Sequence, residues 1–273
     1  MFTPKTKRAL GLRSRRWRLG LLCALVLFVG SYRPSWPAQA TEAPSTKEIA
    51  AIFTPLVSRQ EPGLAVLVRL NGRTLFKRGY GSRDLRSGAA IHAHSDFRLA
   101  SCTKQFTAMA VVLLIHDGKL RLDEKLTDVF PDFPAYGREV TIRNLLNHTS
   151  GLVAYEDLMD KTYAGKLWQE IPQISDAGVL ELMEQQALTP VEMPGGFRSS
   201  SESAAGASIK YGFGWFLDPY HGHARMWHYG ESIGFRSVIE RFPADRLTII
   251  ILANRTDLDP SSLALKVADI FLH

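Results

Sequence analysis

Cysteine is scarce in this 273-residue chain, with Cys23 and Cys102 the only two. If the amino-terminal segment is removed on export, Cys102 stands alone and no internal disulfide can form in the mature protein. Long apolar runs are also short. The uncharged stretch from Leu19 to Tyr32 falls below the roughly 20 residues that a helix needs to cross a bilayer. Acidic residues are absent from the first forty positions, which hold Lys5, Lys7, Arg8, Arg13, Arg15, Arg16, Arg18 and Arg33.

A basic amino end, a short apolar run and then Ala38-Gln39-Ala40 is the order of a secretory signal peptide, with cleavage expected after Ala40. An uncleaved anchor is the alternative, and Ser14-Arg15-Arg16 hints at twin-arginine export. Cys23 sits early in the apolar run behind two leucines, which argues against lipid attachment there. The expected location is periplasmic or secreted. Residues 1–40 hold eight of the 33 basic residues and none of the 27 acidic ones, leaving 25 against 27 and a formal net charge of −2. The basic character of the whole chain belongs to the export signal and gives no reason to expect nucleic acid as a partner. Residues 41–273 are enough for one domain with a proper core.

Local patterns set out the order of elements. Lys47 to Val57 reads as an amphipathic helix and Pro62-Gly63 as a break. Leu64 to Leu70 and Thr74 to Tyr80 read as a hairpin through Asn71-Gly72, because a type I′ turn needs positive φ at both central residues. An apolar helix is expected from Cys102 to His116, a helix from Thr141 to Leu146 with Thr141 as its cap, and helical pattern from Glu156 to Gln186 with Ile174, Val179, Leu180, Leu182 and Met183 inward. Pro190 to Ser208 is a linker rich in Gly, Ser and Pro. Strands are expected over Tyr211 to Leu217, Arg225 to Tyr229, Gly234 to Phe242 and Leu247 to Ala253, followed by a helix from Pro260 to Leu272. The fold class this implies is α+β: an antiparallel sheet built from both ends of the chain, with helices packed on it.

The sharpest chemical signal is Ser101-Cys102-Thr103-Lys104. Residues i and i+3 share a helix face, so the hydroxyl and the amine can touch. Serine needs an adjacent base to become a nucleophile, and a lysine serves if it is kept neutral. The helix amino end favours an oxyanion forming beside Ser101. A capping serine near an unrelated surface lysine is the plainer reading of those four residues alone.

Their context is richer. The stretch Phe97 to Ala108, then Asp117-Gly118-Lys119-Leu120-Arg121-Leu122-Asp123, then Thr141 to Leu152 with its Asn147-His148-Thr149-Ser150-Gly151, and Trp227-His228-Tyr229-Gly230 near the carboxyl end together resemble the serine β-lactamase-related family. That family includes class C β-lactamases, D-alanyl-D-alanine carboxypeptidases and a group of esterases. The resemblance covers Lys47 to about Tyr155 and again Tyr211 to Leu272. It implies a β-lactamase/transpeptidase-like fold, no cofactor, and a small-molecule or cell-wall peptide substrate. It makes Ser101 the acylated nucleophile and Lys104 its base. His228, Tyr229 and Gly230 would edge the pocket, and the Glu231 amide would join that of Ser101 in an oxyanion hole. Histidine at the third motif, where many β-lactamases have lysine, leans the reading towards a peptidase or esterase.

One family feature is missing. Pro194-Gly195-Gly196-Phe197-Arg198 resembles the lead to a Tyr-x-Asn motif, yet Ser199-Ser200-Ser201 follows it. Ala187 to Val191 resembles instead the stretch before the Tyr211 strand, so roughly a hundred residues of the helical lobe are expected to be absent near Gln186, within a truncated region at 186–210. That loss would open one wall of the pocket to water, and an amine kept charged by water cannot deprotonate a serine. Tyr155, Tyr211, Tyr220 and Tyr229 are candidates to replace the tyrosine. Apolar surface exposed by the loss points to self-association.

Two other readings compete. A catalytically impaired or inactive remnant of the family is one. The other is a metal hydrolase using His92-x-His94 or His221-x-His223, although no Asp or Glu cluster accompanies them, so no metal is expected. Cys102, Trp215, Trp227 and Phe235 read as core.

Overall fold

The computed structural model describes residues 46–167 and 209–272, together with residues 170, 171, 174, 175, 178 and 179. The expected signal peptide, the linker from Pro190 to Ser208 and the expected break near Gln186 lie outside the described residues.

Helix α1 (Thr46–Phe53) turns Ile49 and Phe53 inward and runs into a 3-10 turn at Thr54–Leu56. Strands β1 (Leu64–Leu70) and β2 (Arg73–Tyr80) form the expected hairpin. Asn71 and Gly72, at φ 52° and 78°, supply the two positive values that a type I′ turn requires. A small ribbon follows, β3 (Ser82–Asp84) with β4 (Ala89–Ala90).

A 3-10 turn at Ala100–Thr103 then leads into α2 (Lys104–His116), and three short helices come next: α3 (Leu126–Val129), α4 (Ile142–Leu146) and α5 (Tyr155–Thr162). Thr141 caps α4 as expected: its hydroxyl accepts from the Asn144 N–H at 3.2 Å while the Asn144 side chain accepts from the Thr141 N–H at 3.0 Å. The helix expected to run on from Glu156 ends at Thr162, and the chain turns at Gly165 with φ 80°. Ile174 is not helical, Val179 is, and Leu180, Leu182 and Met183 are outside the described residues.

The carboxyl-terminal strands are β5 (Lys210–Gly212), β6 (Trp215–Tyr220), β7 (His223–Ser232), β8 (Phe235–Phe242) and β9 (Leu247–Ala253), closed by α6 (Pro260–Ala268). The stretch from Tyr211 to Leu217, expected as a single strand, is a hairpin. Phe213 and Gly214 take φ 55° and 77° and reverse the chain between β5 and β6. A second tight turn at His221-Gly222, φ 49° and 82°, starts β7 earlier than expected.

The seven-stranded sheet has the order β2-β1-β9-β8-β7-β6-β5, and every neighbouring pair is antiparallel. β1 pairs with β9 in the register Leu64↔Ala253 to Leu70↔Leu247, so the amino-terminal hairpin joins the carboxyl-terminal strands inside one sheet. This is the expected α+β architecture. Period-2 patterning places Leu64, Val66, Val68, Val238, Phe242, Ile249 and Ile251 on one face, under α1 and α6, all 2% exposed or less. Burying each such aliphatic or aromatic side chain stabilises the fold by roughly 1.5–3 kcal/mol. The opposite face, at β7 and β8, receives the Ala100–Thr103 turn.

Helix α2 is different. Its sequence is almost wholly apolar, yet only Ala108 is buried, and Phe106, Met109 and Leu113 are 64%, 59% and 56% exposed.

Candidate active site

Ser101 lies on the 3-10 turn at Ala100–Thr103, and Lys104 is the first residue of α2. The sequence pattern suggested one continuous helix from Cys102, but the tighter turn changes the geometry usefully. In a 3-10 turn residues i and i+3 eclipse, and Lys104 Nζ donates to Ser101 Oγ at 2.8 Å. Ala100, directly before the serine, holds φ 48°, a left-handed value that a residue with a Cβ adopts at a cost. The chain thus enters the serine through a sharp bend.

Packing against β7 and β8 fixes that bend. Cys102, 6% exposed, lies with Sγ 3.3 Å from the His228 carbonyl oxygen and 3.4 Å from Ser237 Oγ. The Ser237 hydroxyl also donates to the Leu99 carbonyl at 2.8 Å. Burial raises the Cys102 thiol pKa, in keeping with a core residue. Gly230 permits the close approach: a Cβ there would stand 2.1 Å from Leu99 O and 2.5 Å from Ser237 Oγ.

His228 is 4% exposed. Its Nδ1 lies 2.5 Å from the Tyr229 carbonyl, which can only accept, so Nδ1 carries the proton. Burial foremost, with the nearby Lys104 and His148 charges adding to it against the Tyr229 hydrogen bond, pushes the pKa of His228 down to about 4. The ring is neutral at pH 7, and Nε2 presents a lone pair. The Tyr211 hydroxyl, 3.3 Å away, therefore donates to it. Tyr211 is itself pushed up to about 12 by burial and packs against His148 at 4.3 Å between ring centroids. Burial, with Lys104 second, lowers the pKa of His148.

The turn between β5 and β6 sets Tyr211 in place. The Phe213 N–H donates to the Leu146 carbonyl at 2.8 Å, and a Cβ on Gly214 would lie 2.7 Å from the Gln105 amide nitrogen. That turn is seated on the start of α2 and the end of α4, beside the serine and the lysine.

Residues 49–180 match the family model described as Beta-lactamase. A penicillin-binding protein of Bacillus subtilis strain 168 is 36% identical over 109 residues, 40% of this chain and 24% of the relative. Over these residues, just under half of the chain, the sequence is similar to the serine β-lactamase-related family. Esterase EstB of Burkholderia gladioli is 40% identical over 102 residues, 36% of this chain and 26% of the esterase, so the match to these relatives spans about a quarter of their own length. A class C β-lactamase structure superposes with a TM-score of 0.59 at 16% identity, covering 82% of this chain and 95% of that one; at that identity the likeness is one of fold.

The site residues read from the sequence fall as follows. Ser101 and Lys104 are in contact, and His228 and Gly230 lie on the strand behind them. Tyr229 is 45% exposed and stacks near Phe216 and Trp227. The Glu231 carboxylate turns to Arg236 at 3.0 Å. His148 was legible only as part of a motif, with nothing to mark it as a neighbour of the site, and Tyr211 only as one of four tyrosines. Of the others, Tyr220 donates to Asp269 at 2.7 Å, and Tyr155 is 37% exposed.

The histidine pairs take separate partners. His92 Nδ1 accepts from the His94 backbone at 3.1 Å, His221 lies 3.5 Å from Asp269, and His223 lies 3.0 Å from Asp245. Among the described residues no group of three or more potential ligands converges on one point. Trp227 is buried, Trp215 lies under Arg241, and Phe235 packs edge-on to Phe97.

Proposed function

We propose that this chain is an exported serine hydrolase that cleaves an ester or amide through an acyl-enzyme on Ser101. The contact of 2.8 Å between Lys104 Nζ and Ser101 Oγ carries the reading. As free amine, Lys104 takes the hydroxyl proton while Ser101 Oγ bonds to the substrate carbonyl carbon. The Ser101 and Glu231 amides receive the oxyanion. The carbonyl–leaving-group bond then breaks, and water attacks the acyl-serine along the reverse path. His228 argues for the substrate class. A neutral imidazole with Nδ1 committed to Tyr229 and Nε2 to Tyr211 offers no fixed positive charge to a substrate carboxylate. An uncharged ester or amide suits it better than a β-lactam or a peptide with a free carboxyl end.

A specific observation favours a second reading, the impaired remnant. Lys104 and the apolar face of α2 are open to water, and a water-exposed amine is a poor base. Incubation with a fluorophosphonate and with a fluorescent penicillin, followed by intact-mass measurement, separates the two. The active reading expects one fluorophosphonate adduct on Ser101, absent in Ser101→Ala, and weak or no penicillin labelling. No adduct with either reagent leaves the remnant. Export and cleavage after Ala40 belong to the same proposal, and amino-terminal sequencing of protein recovered outside the cytoplasm checks them. Pairing of two copies through α2 is part of the proposal as well.

A further inference from the structure

We infer that Ser237 is a positioning residue: its hydroxyl holds the strained bend at Ala100 and so sets the Ser101 turn against β7. The inference rests on the serine-hydrolase reading. Ala100 carries a Cβ yet takes φ 48°, and that left-handed value costs a residue other than glycine about as much as one buried hydrogen bond contributes. A contact from outside the turn has to offset it. The Leu99 carbonyl, part of the peptide that leads into Ala100, accepts from the Ser237 hydroxyl at 2.8 Å and from the Cys102 N–H at 3.2 Å. Ser237 and Leu99 are 138 residues apart, so the brace reaches the nucleophile's turn from β8.

The sheet is shaped to make that bond. Ser237 is 2% exposed and stands directly across from Gly230 in the β7–β8 register. Glycine at 230 leaves the space in which the hydroxyl meets the Leu99 oxygen. The hydroxyl has one hydrogen, and the Leu99 oxygen, which can only accept, takes it. Cys102 Sγ, 3.4 Å from Ser237 Oγ, keeps its own contact with the His228 carbonyl at 3.3 Å. While the Ser237 bond stands, the Leu99 oxygen cannot turn away and Ala100 keeps its positive φ. Without it, Ala100 relaxes towards negative φ, the Leu99–Ala100 peptide rotates, and Ser101 and Lys104 move together away from β7 and from the Glu231 amide that the oxyanion needs.

Ser237→Ala deletes the hydroxyl, and Ala100→Gly removes the cost of the bend. The second-order rate of fluorophosphonate labelling is followed by intact mass for wild type, Ser101→Ala, both single variants and the double variant. Ser237→Ala is expected to label about tenfold more slowly than wild type, the effect of one lost buried hydrogen bond. In the double variant glycine adopts the bend freely, and the rate is expected to return to within about threefold of wild type. A hydroxyl that served stability alone would leave the double variant no faster than Ser237→Ala. That result overturns the positioning role, as does undiminished labelling of Ser237→Ala. If wild type takes no more label than Ser101→Ala, the hydrolase reading falls and the positioning role falls with it.

Discussion

Glu240 sits on β8 with no exposed surface, and neither carboxylate oxygen has a hydrogen-bond partner. Arg225, at 3.8 Å, is already held by two bonds from its guanidinium to Asp218 at 2.9 and 2.6 Å. Burial, opposed by Arg225 and reinforced by Asp218, pushes Glu240 up to about 8 from its ordinary 4.5. A raised carboxyl means that the folded state keeps a proton which the unfolded chain releases between pH 4.5 and 8. Stability therefore falls as pH rises through that window and levels off above it, by on the order of 5 kcal/mol. Glu240→Gln cannot ionise and leaves the Asp218–Arg225 pair intact. Its melting temperature is expected to match wild type near pH 5 and exceed it at pH 8.5. A variant less stable than wild type at pH 8.5 would mean that the Arg225 contact outweighs desolvation. The same scale explains what could be read of the site in advance. Ser101 and Lys104 are three residues apart, and local geometry alone brings them together. Tyr211 and His228 are 17 residues apart, and only the path of two hairpins joins them.

At the scale of elements, α2 carries the conspicuous mismatch. Phe106, Met109 and Leu113 follow i, i+3, i+7 spacing and form one apolar stripe that is more than half exposed. In the proposed pairing of two copies, this stripe would meet the stripe of the second. Phe106→Lys with Leu113→Lys is expected to convert the protein from dimer or larger to monomer by size-exclusion chromatography with light scattering. Because neither side chain is buried, the change should cost no more than about 1 kcal/mol of stability. A wild-type chain that is monomeric at tens of micromolar would end the proposal. The element boundaries that the sequence misjudged share one cause. Phe213 and His221 take positive φ although neither is glycine, and turns that rely on such residues leave little trace in composition. Asn71-Gly72 and the Thr141 cap were legible because their residue types match their geometry.

For the whole molecule, the decisive contact is that of β1 with β9, which joins residues 64–70 to 247–253. Ile249 is fully buried on β9, an interior strand between β1 and β8 and beneath the terminal helices. Ile249→Ala is expected to cost about 3 kcal/mol in urea unfolding. In a two-state molecule the amino-terminal hairpin and the carboxyl-terminal strands should lose structure together, as followed by hydrogen exchange. Separate transitions would show that the two ends are not one cooperative sheet. The sequence by itself determined most of the sheet's strands, the principal hairpin, the antiparallel sheet shared by both ends and the contact of Ser101 with Lys104. Each of these follows from period-2 patterning, turn chemistry or neighbours three residues apart. Tertiary structure alone decided that His148, Tyr211 and His228 converge beside that pair, that His228 is neutral, and that α2 is bare. Burial and approach between distant segments set all three, and neither is written in any local run of residues.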